Sequence, residues 1–264
     1  MREDLIFDSH AHYDDSRFRN YEIPRDQLLE NLFSTDVAAI VNVGTNLRNA
    51  QTSIELTRKY ENMYCAIGIY PGDIPGGAEV MEETVGRLEK LIYENEKVVA
   101  IGEIGLDYHY DDVPRDIQKL WFERQMELAR KIGYPVAIHD REAHGDCLDI
   151  VKGFKDVTGV FHCFSGSVEM AKELLKLGYY VSISGVVTFS NARVLKEVVR
   201  EVPIERMLVE TDCPYLAPTP HRGKTNHSGY IKYIIETIAD IKGMKYEDVC
   251  RITNANARQM YKIK

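Results

Sequence analysis

Short apolar runs alternate with longer amphipathic segments along almost the whole chain. Apolar runs of this length, bounded by polar segments, are typical of buried strands. Because helix-length segments separate the runs, the pattern predicts strands that alternate with helices. The predicted strands are Leu5–Asp8, Ala38–Val43, Met63–Ile69, Val98–Ile101, Pro135–His139, Gly159–Phe161, Tyr180–Ile183 and Met207–Val209.

Amphipathic helices are predicted between these runs. Arg115–Ile132 places its apolar side chains on one face, with Pro114 before its start and Gly133 after its end. Ser167–Leu177 begins with a capping serine and stops at Gly178. We interpret such faces as core-facing, because helices of α/β proteins bury one face on the sheet. A further apolar stripe consists of Ile231, Ile234, Ile235, Ile238 and Ile241.

This alternation predicts an α/β fold, a single (β/α)8 TIM barrel that takes up residues 1–264 as one domain. The alternative is a doubly wound open sheet, but no Gly-x-Gly-x-x-Gly motif follows the first predicted strand. No proline- or glycine-rich linker divides the chain. In a barrel the carboxyl ends of all strands meet at one mouth, where we expect the active site.

Composition and charge narrow the class of protein. The chain has 264 residues and a formal net charge of −8, which disfavours broad adhesion to nucleic acid or anionic membranes but leaves room for a local site. Five scattered cysteines without a CxxC pair favour a reducing compartment. No apolar run approaches the roughly 18 residues of a membrane span, and the first residues lack the pattern of a signal peptide. We therefore expect a cytoplasmic protein with no membrane partner.

Six polar side chains come at or directly after the predicted carboxyl ends of strands. Imidazoles and carboxylates are common ligands of divalent ions, and a spacing of two on extended chain places the first two imidazoles on one face. Six ligands are too many for one tetrahedral zinc with an open position. They suit two ions about 3.5–4 Å apart that share a bridging carboxylate, a pair that lowers the pKa of a shared water. The candidate ligands are His10, His12, Glu103, His139, His162 and Asp212, with Glu103 as the predicted bridge.

Longer motifs surround these residues. The chain contains Asp8–His12 (DSHAH), Gly102–Tyr108 (GEIGLDY), Phe161–Gly166 (FHCFSG), Glu210–Leu216 (ETDCPYL), Pro220–Asn226 (PHRGKTN) and Asn254–Ala257 (NANA). With these motifs it resembles, over nearly its whole length, the TatD family of metal-dependent deoxyribonucleases within the amidohydrolase-like superfamily.

The resemblance implies an activity and a role for each ligand. One ion would be held by His10, His12, Glu103 and Asp212, and the other by Glu103, His139 and His162. The implied activity is hydrolysis of phosphodiester bonds at DNA ends or in single strands, 3′-5′ exonuclease-like, with magnesium, manganese or zinc and a metal-activated water. Asp212 would also be the general base, which requires that it lie within hydrogen-bond reach of that water.

One stretch departs from the family. The family usually carries His-Pro-His after the third strand, where this chain has Tyr70, Pro71 and Gly72. We expect the change to spare metal binding and to alter substrate preference or rate. Tyr70 keeps a hydroxyl donor and is therefore a candidate substrate contact, but a phenol is not an acid near neutral pH without a large pKa shift.

Other polar residues are candidate substrate contacts. Arg222 and Lys224, in the loop after the eighth strand, would bind phosphates, since arginine offers a bidentate fork. Tyr108 and His109 would stack a nucleobase. Of the residues that flank the fifth strand, Arg141 is a further candidate contact.

Four residues are expected to have supporting roles or none. Asp140 and His144, together with Arg141, would orient the metal ligands. His227 is expected on the surface.

Two other functions remain open. The same barrel supports many chemistries, so an amide or ester hydrolase such as an aminoacyl-tRNA deacylase is the main alternative. Amidohydrolases of that sort often bridge their ions with a carboxylated lysine, so Glu103 favours the nuclease, whereas Tyr70 and Gly72 favour the alternative. A metal-stabilised scaffold without activity is disfavoured, because all six ligands are present.

Overall fold

The computed structural model describes residues 5–110 and 112–263, and within them the chain forms eight strands and nine α-helices. The strands are β1 (Ile6–Ala11), β2 (Val37–Gly44), β3 (Met63–Ile67), β4 (Val98–Asp107), β5 (Val136–Arg141), β6 (Gly159–Phe161), β7 (Tyr180–Ile183) and β8 (Met207–Val209). The helices are α1 (Arg25–Ser34), α2 (Leu47–Lys59), α3 (Ala78–Glu94), α4 (Arg115–Ile132), α5 (His144–Lys152), α6 (Val168–Lys176), α7 (Arg193–Glu201), α8 (Ile231–Lys242) and α9 (Tyr246–Met260).

The strands form one parallel sheet in chain order, from β1 to β8. The loop after β8 continues the pairing to β1 and nearly closes the cylinder. There the amide of His12 donates to the carbonyl of Cys213 at 2.8 Å, and the amide of Asp212 donates to the carbonyl of His10 at 2.9 Å. The predicted TIM barrel is confirmed, and the open-sheet alternative is wrong. This seam also brings Asp212 beside two predicted metal ligands.

Alternate residues of the strands face opposite sides of the barrel wall. In β2, Ala39, Val41 and Val43 belong to a small cluster, whereas Ile40 belongs to the larger cluster formed with the helices. The small cluster includes Tyr261, which follows α9. Its hydroxyl donates to the carbonyl of Ser9 at 2.8 Å. The segment that follows α9 therefore packs against the side of the barrel wall that carries the small cluster.

The predicted bounds are correct for strands in which every residue belongs to the apolar run. β6, β7, β8 and α4 have the bounds that the sequence predicts, whereas β1, β4 and β5 run further, to Ala11, Asp107 and Arg141. As a result Glu103 and His10 lie inside strands rather than after them, and His139 lies two residues before the end of its strand. The apolar pattern ends early there because polar side chains at the mouth contact one another instead of the core.

Two further observations concern the chain as a whole. All five cysteines are free thiols. No helix within the described residues is long and apolar enough to cross a membrane.

Candidate metal centre

The mouth of the barrel brings the six candidate ligands together. His10, His12 and Asp212, here called the first group, lie at the β1–β8 seam. The Nε2 atoms of the two imidazoles are 3.2 Å apart, and Asp212 Oδ1 lies 3.3 Å from Nε2 of His12 and 3.9 Å from Nε2 of His10. Ligand atoms from three side chains thus face a common point.

A second group, His139 and His162, lies across the mouth at the ends of β5 and β6. His139 Nδ1 is 3.1 Å from His162 Nε2. Glu103 Oε1 approaches both nitrogens, at 2.7 Å from His139 Nδ1 and 2.9 Å from His162 Nε2. These three residues also form a cluster whose ligand atoms all lie within 4.8 Å of one another.

Glu103 lies between the two groups. Its Oε2 atom is 3.6 Å from Nε2 of His10 and 3.8 Å from Nε2 of His12, while its Oε1 atom faces the second group. Its side chain is only 5% exposed, so water competes little for either oxygen. One carboxylate oxygen for each group is the arrangement that a bridging ligand requires.

Hydrogen bonds behind two imidazoles fix the nitrogen that faces the mouth. Nδ1 of His12 lies 2.8 Å from the carbonyl oxygen of Val43. Because a carbonyl only accepts, Nδ1 carries the proton and Nε2 presents its lone pair. Nε2 of His139 lies 3.1 Å from Asp107 Oδ2. Burial raises the pKa of Asp107, but the hydrogen bonds from His139 and Tyr70 outweigh burial and lower this pKa to about 2. Because the carboxylate is ionised, Nε2 of His139 is the donor in this bond. Nδ1 is then the nitrogen that can bind an ion.

The fully buried Glu210 lies behind His162. Its Oε1 atom is 3.4 Å from His162 Nδ1 and accepts a 2.6 Å hydrogen bond from the amide of Cys163. Ligand-type atoms of Glu210, His10 and His162 all lie within 4.8 Å of one another. The rings of His10 and His162 stack at 3.9 Å. A buried carboxylate thus faces the back of His162, and the Nε2 atoms of both stacked rings face Glu103 at the mouth.

The charge states suit metal ligands. Burial raises the pKa of Glu103, but the facing imidazoles, chiefly His162, hold it well below its usual range. The pKa of Asp212 is also lowered, since the hydrogen bond and charge of His12 outweigh burial. Burial and the charge of His162 lower the pKa of His10. Both carboxylates are therefore ionised at neutral pH.

The pKa is raised for three of the four imidazoles, those of His12, His139 and His162. In His12 the cause lies in the first group. Burial lowers its pKa, but the hydrogen bond and charge of Asp212 outweigh burial and raise the pKa to about 9. Only the neutral imidazole is a metal ligand, so binding of an ion to the first group must release this proton. The buried donor set of oriented imidazoles and ionised carboxylates fits divalent ions.

A cleft of about 1450 Å³ opens over this centre, with Glu103, His139, His162 and Asp212 among the residues that line it. Among the predicted substrate contacts, Tyr70 and Arg141 line the cleft. The hydroxyl of Tyr70 donates to Asp107 Oδ2 at 2.7 Å. Burial and the neighbouring Asp107 raise the Tyr70 pKa further, so the phenol stays a neutral donor, as the sequence predicts.

The structure places other predicted contacts outside the lining of the cleft. The guanidinium of Arg222 lies over the ring of Phe189 at 4.0 Å. Lys224, in the same loop, is exposed. The hydroxyl of Tyr108 donates to Asp146 at 2.6 Å. Contact of these residues with substrate stays a prediction without support from their positions.

The remaining predicted residues have local partners. Nδ1 of His109 is 2.8 Å from Glu142 Oε1, on the exposed rim. His144 Nδ1 lies 2.9 Å from Asp140 Oδ2, so these two bind each other rather than any of the six ligands. Asp140 does line the cleft.

His227 is not a surface residue, which corrects the prediction. It is half-buried, its ring lies 3.9 Å from that of Tyr230, and its Nδ1 accepts from the amide of Gly229. Burial lowers its pKa to about 4. A polar residue in a loop gave no sign in the sequence that neighbouring aromatic rings would cover it.

Sequence reasoning missed two kinds of functional residue. Asp107 and Glu210 support the ligands from behind, and a period of two could have found them. Asp107 lies four residues after Glu103 on β4, and Glu210 lies two residues before Asp212. Three arginines that line the cleft besides Arg141 showed no such pattern in the sequence. They are Arg19, Arg25 and Arg48, which line the side of the cleft nearer β1 and β2.

Comparison with known proteins gives one consistent result. A profile of the family described as TatD related DNase matches residues 7–262. The uncharacterized metal-dependent hydrolase YabD of Bacillus subtilis (strain 168) is 41% identical over 261 residues, which cover 98% of this chain and 100% of that protein. The uncharacterized metal-dependent hydrolase YcfH of Escherichia coli (strain K12) is 36% identical over 261 residues, with 98% and 96% covered.

A solved structure agrees over the full length. The crystal structure of YJJV, described as a TatD homolog from Escherichia coli K12, superposes with a TM-score of 0.89 at 25% sequence identity. The superposition covers 100% of both chains. The likeness therefore extends over the whole barrel rather than over one motif.

Proposed function

Because the chain belongs to the family of TatD-related DNases, as its motifs predict, we propose that this metal-dependent hydrolase cleaves phosphodiester bonds at DNA ends. We propose 3′-5′ exonuclease polarity and a cytoplasmic location. The observation that carries the proposal is the position of Glu103. One of its oxygens faces His10 and His12 and the other faces His139 and His162, on the floor of an open cleft.

The site would hold two divalent ions. The first group with Glu103 would bind one, and the second group with Glu103 would bind the other. When bound, such a pair supplies Lewis acidity that neutralises charge on the attacking and leaving oxygens and acidifies water. Magnesium, manganese and zinc are all candidates, since imidazole and carboxylate ligands accept each of them.

Asp212 is the proposed general base. Its side chain is 18% exposed, more than that of Glu103, and it lines the cleft. His12 keeps its pKa low, so it is ionised and has an oxygen to accept a proton from the attacking water. The hydrogen bond from its amide to the carbonyl of His10 fixes its backbone beside the first group.

The cations of the cleft support a phosphate-bearing substrate. Arg19, Arg25, Arg48 and Arg141 line it, although the chain as a whole carries a net charge of −8. Seven carboxylates also line the cleft, so the arginines would act together with the two proposed ions to bind phosphate at one place. An acidic surface elsewhere disfavours coating of long duplexes. This arrangement suits an enzyme of DNA ends and short single strands.

The test is digestion of end-labelled DNA. Protein stripped with EDTA is reloaded with Mg²⁺, Mn²⁺ or Zn²⁺ and incubated with single-stranded, blunt and 3′-recessed oligonucleotides. We expect metal-dependent shortening from the 3′ end, with none in EDTA and none in the Glu103→Gln variant. A parallel panel of amides and esters, including an aminoacyl-tRNA, tests the alternative hydrolase. Turnover in that panel without cleavage of any DNA, at confirmed metal content, would refute the nuclease.

A further inference from the structure

We infer that Tyr70 is a positioning residue that holds Asp107 against the metal ligand His139, and that Gly72 provides the space that Tyr70 needs. This inference rests on the proposed two-ion site. It assigns a role to the two positions at which the sequence departs from its family, and the role follows from contacts within this chain.

The hydroxyl of Tyr70 and the imidazole of His139 share one acceptor. Tyr70 donates to Asp107 Oδ2 at 2.7 Å, and Nε2 of His139 lies 3.1 Å from the same oxygen. The other oxygen of Asp107 accepts from the amide of His109 at 2.9 Å. The amide of Asp107 donates to Gln118 Oε1 at 2.9 Å. With both oxygens engaged, the carboxylate has one orientation, and this orientation directs Nδ1 of His139 toward Glu103.

The ring of Tyr70 also contacts the ligand. It meets the imidazole of His139 edge to face, with ring centroids 4.9 Å apart and planes at 82°. The backbone of Tyr70 is fixed by hydrogen bonds from its amide to Thr45 and from the amide of Asp73 to its carbonyl. Tyr70 is thus a wall of the cleft whose polar end points away from the cleft and toward Asp107.

Gly72 makes this position of the ring possible. A Cβ atom at residue 72 would lie 2.6 Å from Cε1 of Tyr70, closer than carbon atoms approach without a shift. Gly72 does not have a positive φ, so the requirement is for space rather than for a left-handed backbone. A side chain at residue 72 requires a shift, and since the ring of Tyr70 is the neighbour that it meets, we expect the ring to move and the bond from its hydroxyl to Asp107 to lengthen. Tyr70 and Gly72 therefore act as a pair.

Metal titration of the purified apoprotein with Mn²⁺, by calorimetry or equilibrium dialysis, tests the inference. Residues that orient a metal ligand directly are worth about 10- to 100-fold in affinity, and Tyr70 acts one contact further away, so we expect Tyr70→Phe to weaken one of two Mn²⁺ sites by about 3- to 10-fold. The other site should keep its affinity. Tyr233→Phe is the matched control, because its hydroxyl also bonds a histidine, His221 at 3.0 Å, outside the metal centre.

Gly72→Ala provides an independent variant. It leaves the hydroxyl in place but displaces the ring, so we expect the same Mn²⁺ site to weaken. In the double variant the loss should be no larger than in Tyr70→Phe alone, because Gly72 acts through the hydroxyl that is already gone. Thermal unfolding verifies that each variant is folded, and Gly72→Ala carries the test should Tyr70→Phe fail to fold.

The kinetic readout separates positioning from chemistry. At saturating Mn²⁺, kcat of Tyr70→Phe should return to within about twofold of the unmodified enzyme, since a positioning residue changes affinity and not the chemical step. A kcat that stays low at saturating metal would overturn the inference. So would two Mn²⁺ sites of unchanged affinity in both variants. If the unmodified protein itself binds fewer than two ions, the proposed two-ion site is wrong. This result differs from the two that overturn the role of Tyr70, because it is measured without any substitution.

Discussion

The two ligand groups of the mouth are supported in different ways. In the second group His139 is backed by the carboxylate of Asp107 and His162 by that of Glu210. In the first group His12 is backed by a backbone carbonyl, and the carboxylate, Asp212, is itself in the ligand set. A carboxylate behind an imidazole fixes the ring and makes it a stronger ligand.

From this difference we expect the two groups to have different roles. The second group has its carboxylates behind the imidazoles, where they would strengthen the binding of an ion without contacting the substrate. The first group has its charge in front, on Asp212, which lines the cleft and has a more exposed side chain than Glu103. We expect the second group to hold its ion more tightly and the first group to take part in proton transfer.

The largest effect should come from removing what the groups share. Glu103→Gln takes away the charge that faces both groups, so we expect both ions to bind poorly. Loss of metal assistance worth several kcal/mol corresponds to a fall of about 10³-fold or more in kcat/KM. Metal content by elemental analysis and digestion rates of end-labelled DNA check this. Retention of two ions and of activity would show that the groups are not joined by Glu103.

Asp212→Asn should separate the groups. The amide cannot accept a proton as a base, so we expect kcat to fall by about 10²- to 10⁴-fold. One ion, bound by the second group, should be retained with nearly unchanged affinity, because Asp212 contacts only the first group. Metal titration beside single-turnover kinetics is the measurement. An equal loss of affinity at both metal sites would contradict different roles for the two groups.

Asp107→Asn should weaken the second group alone. It replaces the ionised acceptor of Nε2 of His139 by an amide, and we expect a fall of about 10- to 100-fold in the affinity of one ion. Asp146→Asn is a matched control, since Asp146 also accepts from a tyrosine hydroxyl but has no contact with a ligand. An unchanged Mn²⁺ titration in Asp107→Asn would show that the carboxylate behind His139 contributes nothing to ion binding.

The smallest effect concerns the side from which substrate reaches the two groups. Arg48 is at the start of α2, on the side of the first group, and lines the cleft, whereas Arg222 does not. If Arg48 contacts one phosphate, Arg48→Ala should lower the slope of log KM against log salt by about one, and Arg222→Ala should not change it. KM measured at several salt concentrations decides between the two. The reverse result would restore the loop after β8 as the contact.

The sequence alone determined the fold and the set of candidate ligands. Strict alternation of apolar runs and amphipathic segments admits few folds other than a parallel barrel, and polar residues at the carboxyl ends of its strands must meet at the mouth. For this reason residues as distant in sequence as His10 and Asp212 could be predicted as neighbours. The family followed from motifs around the same residues, and the comparisons confirmed it.

Only the tertiary structure decided which side chains support the candidate ligands from behind and which side chains line the cleft above them. Tyr70 and Asp107 are 37 residues apart, and their 2.7 Å contact depends on sheet register, the curvature of the barrel and the absence of a side chain at Gly72. The same holds for Arg222, which packs on Phe189 although its motif suggested a phosphate contact. Periodicity fixes which face of a strand a residue occupies, but side-chain packing between neighbouring strands and loops fixes what it touches. Packing depends on distances of a few tenths of an ångström that no one-dimensional pattern contains.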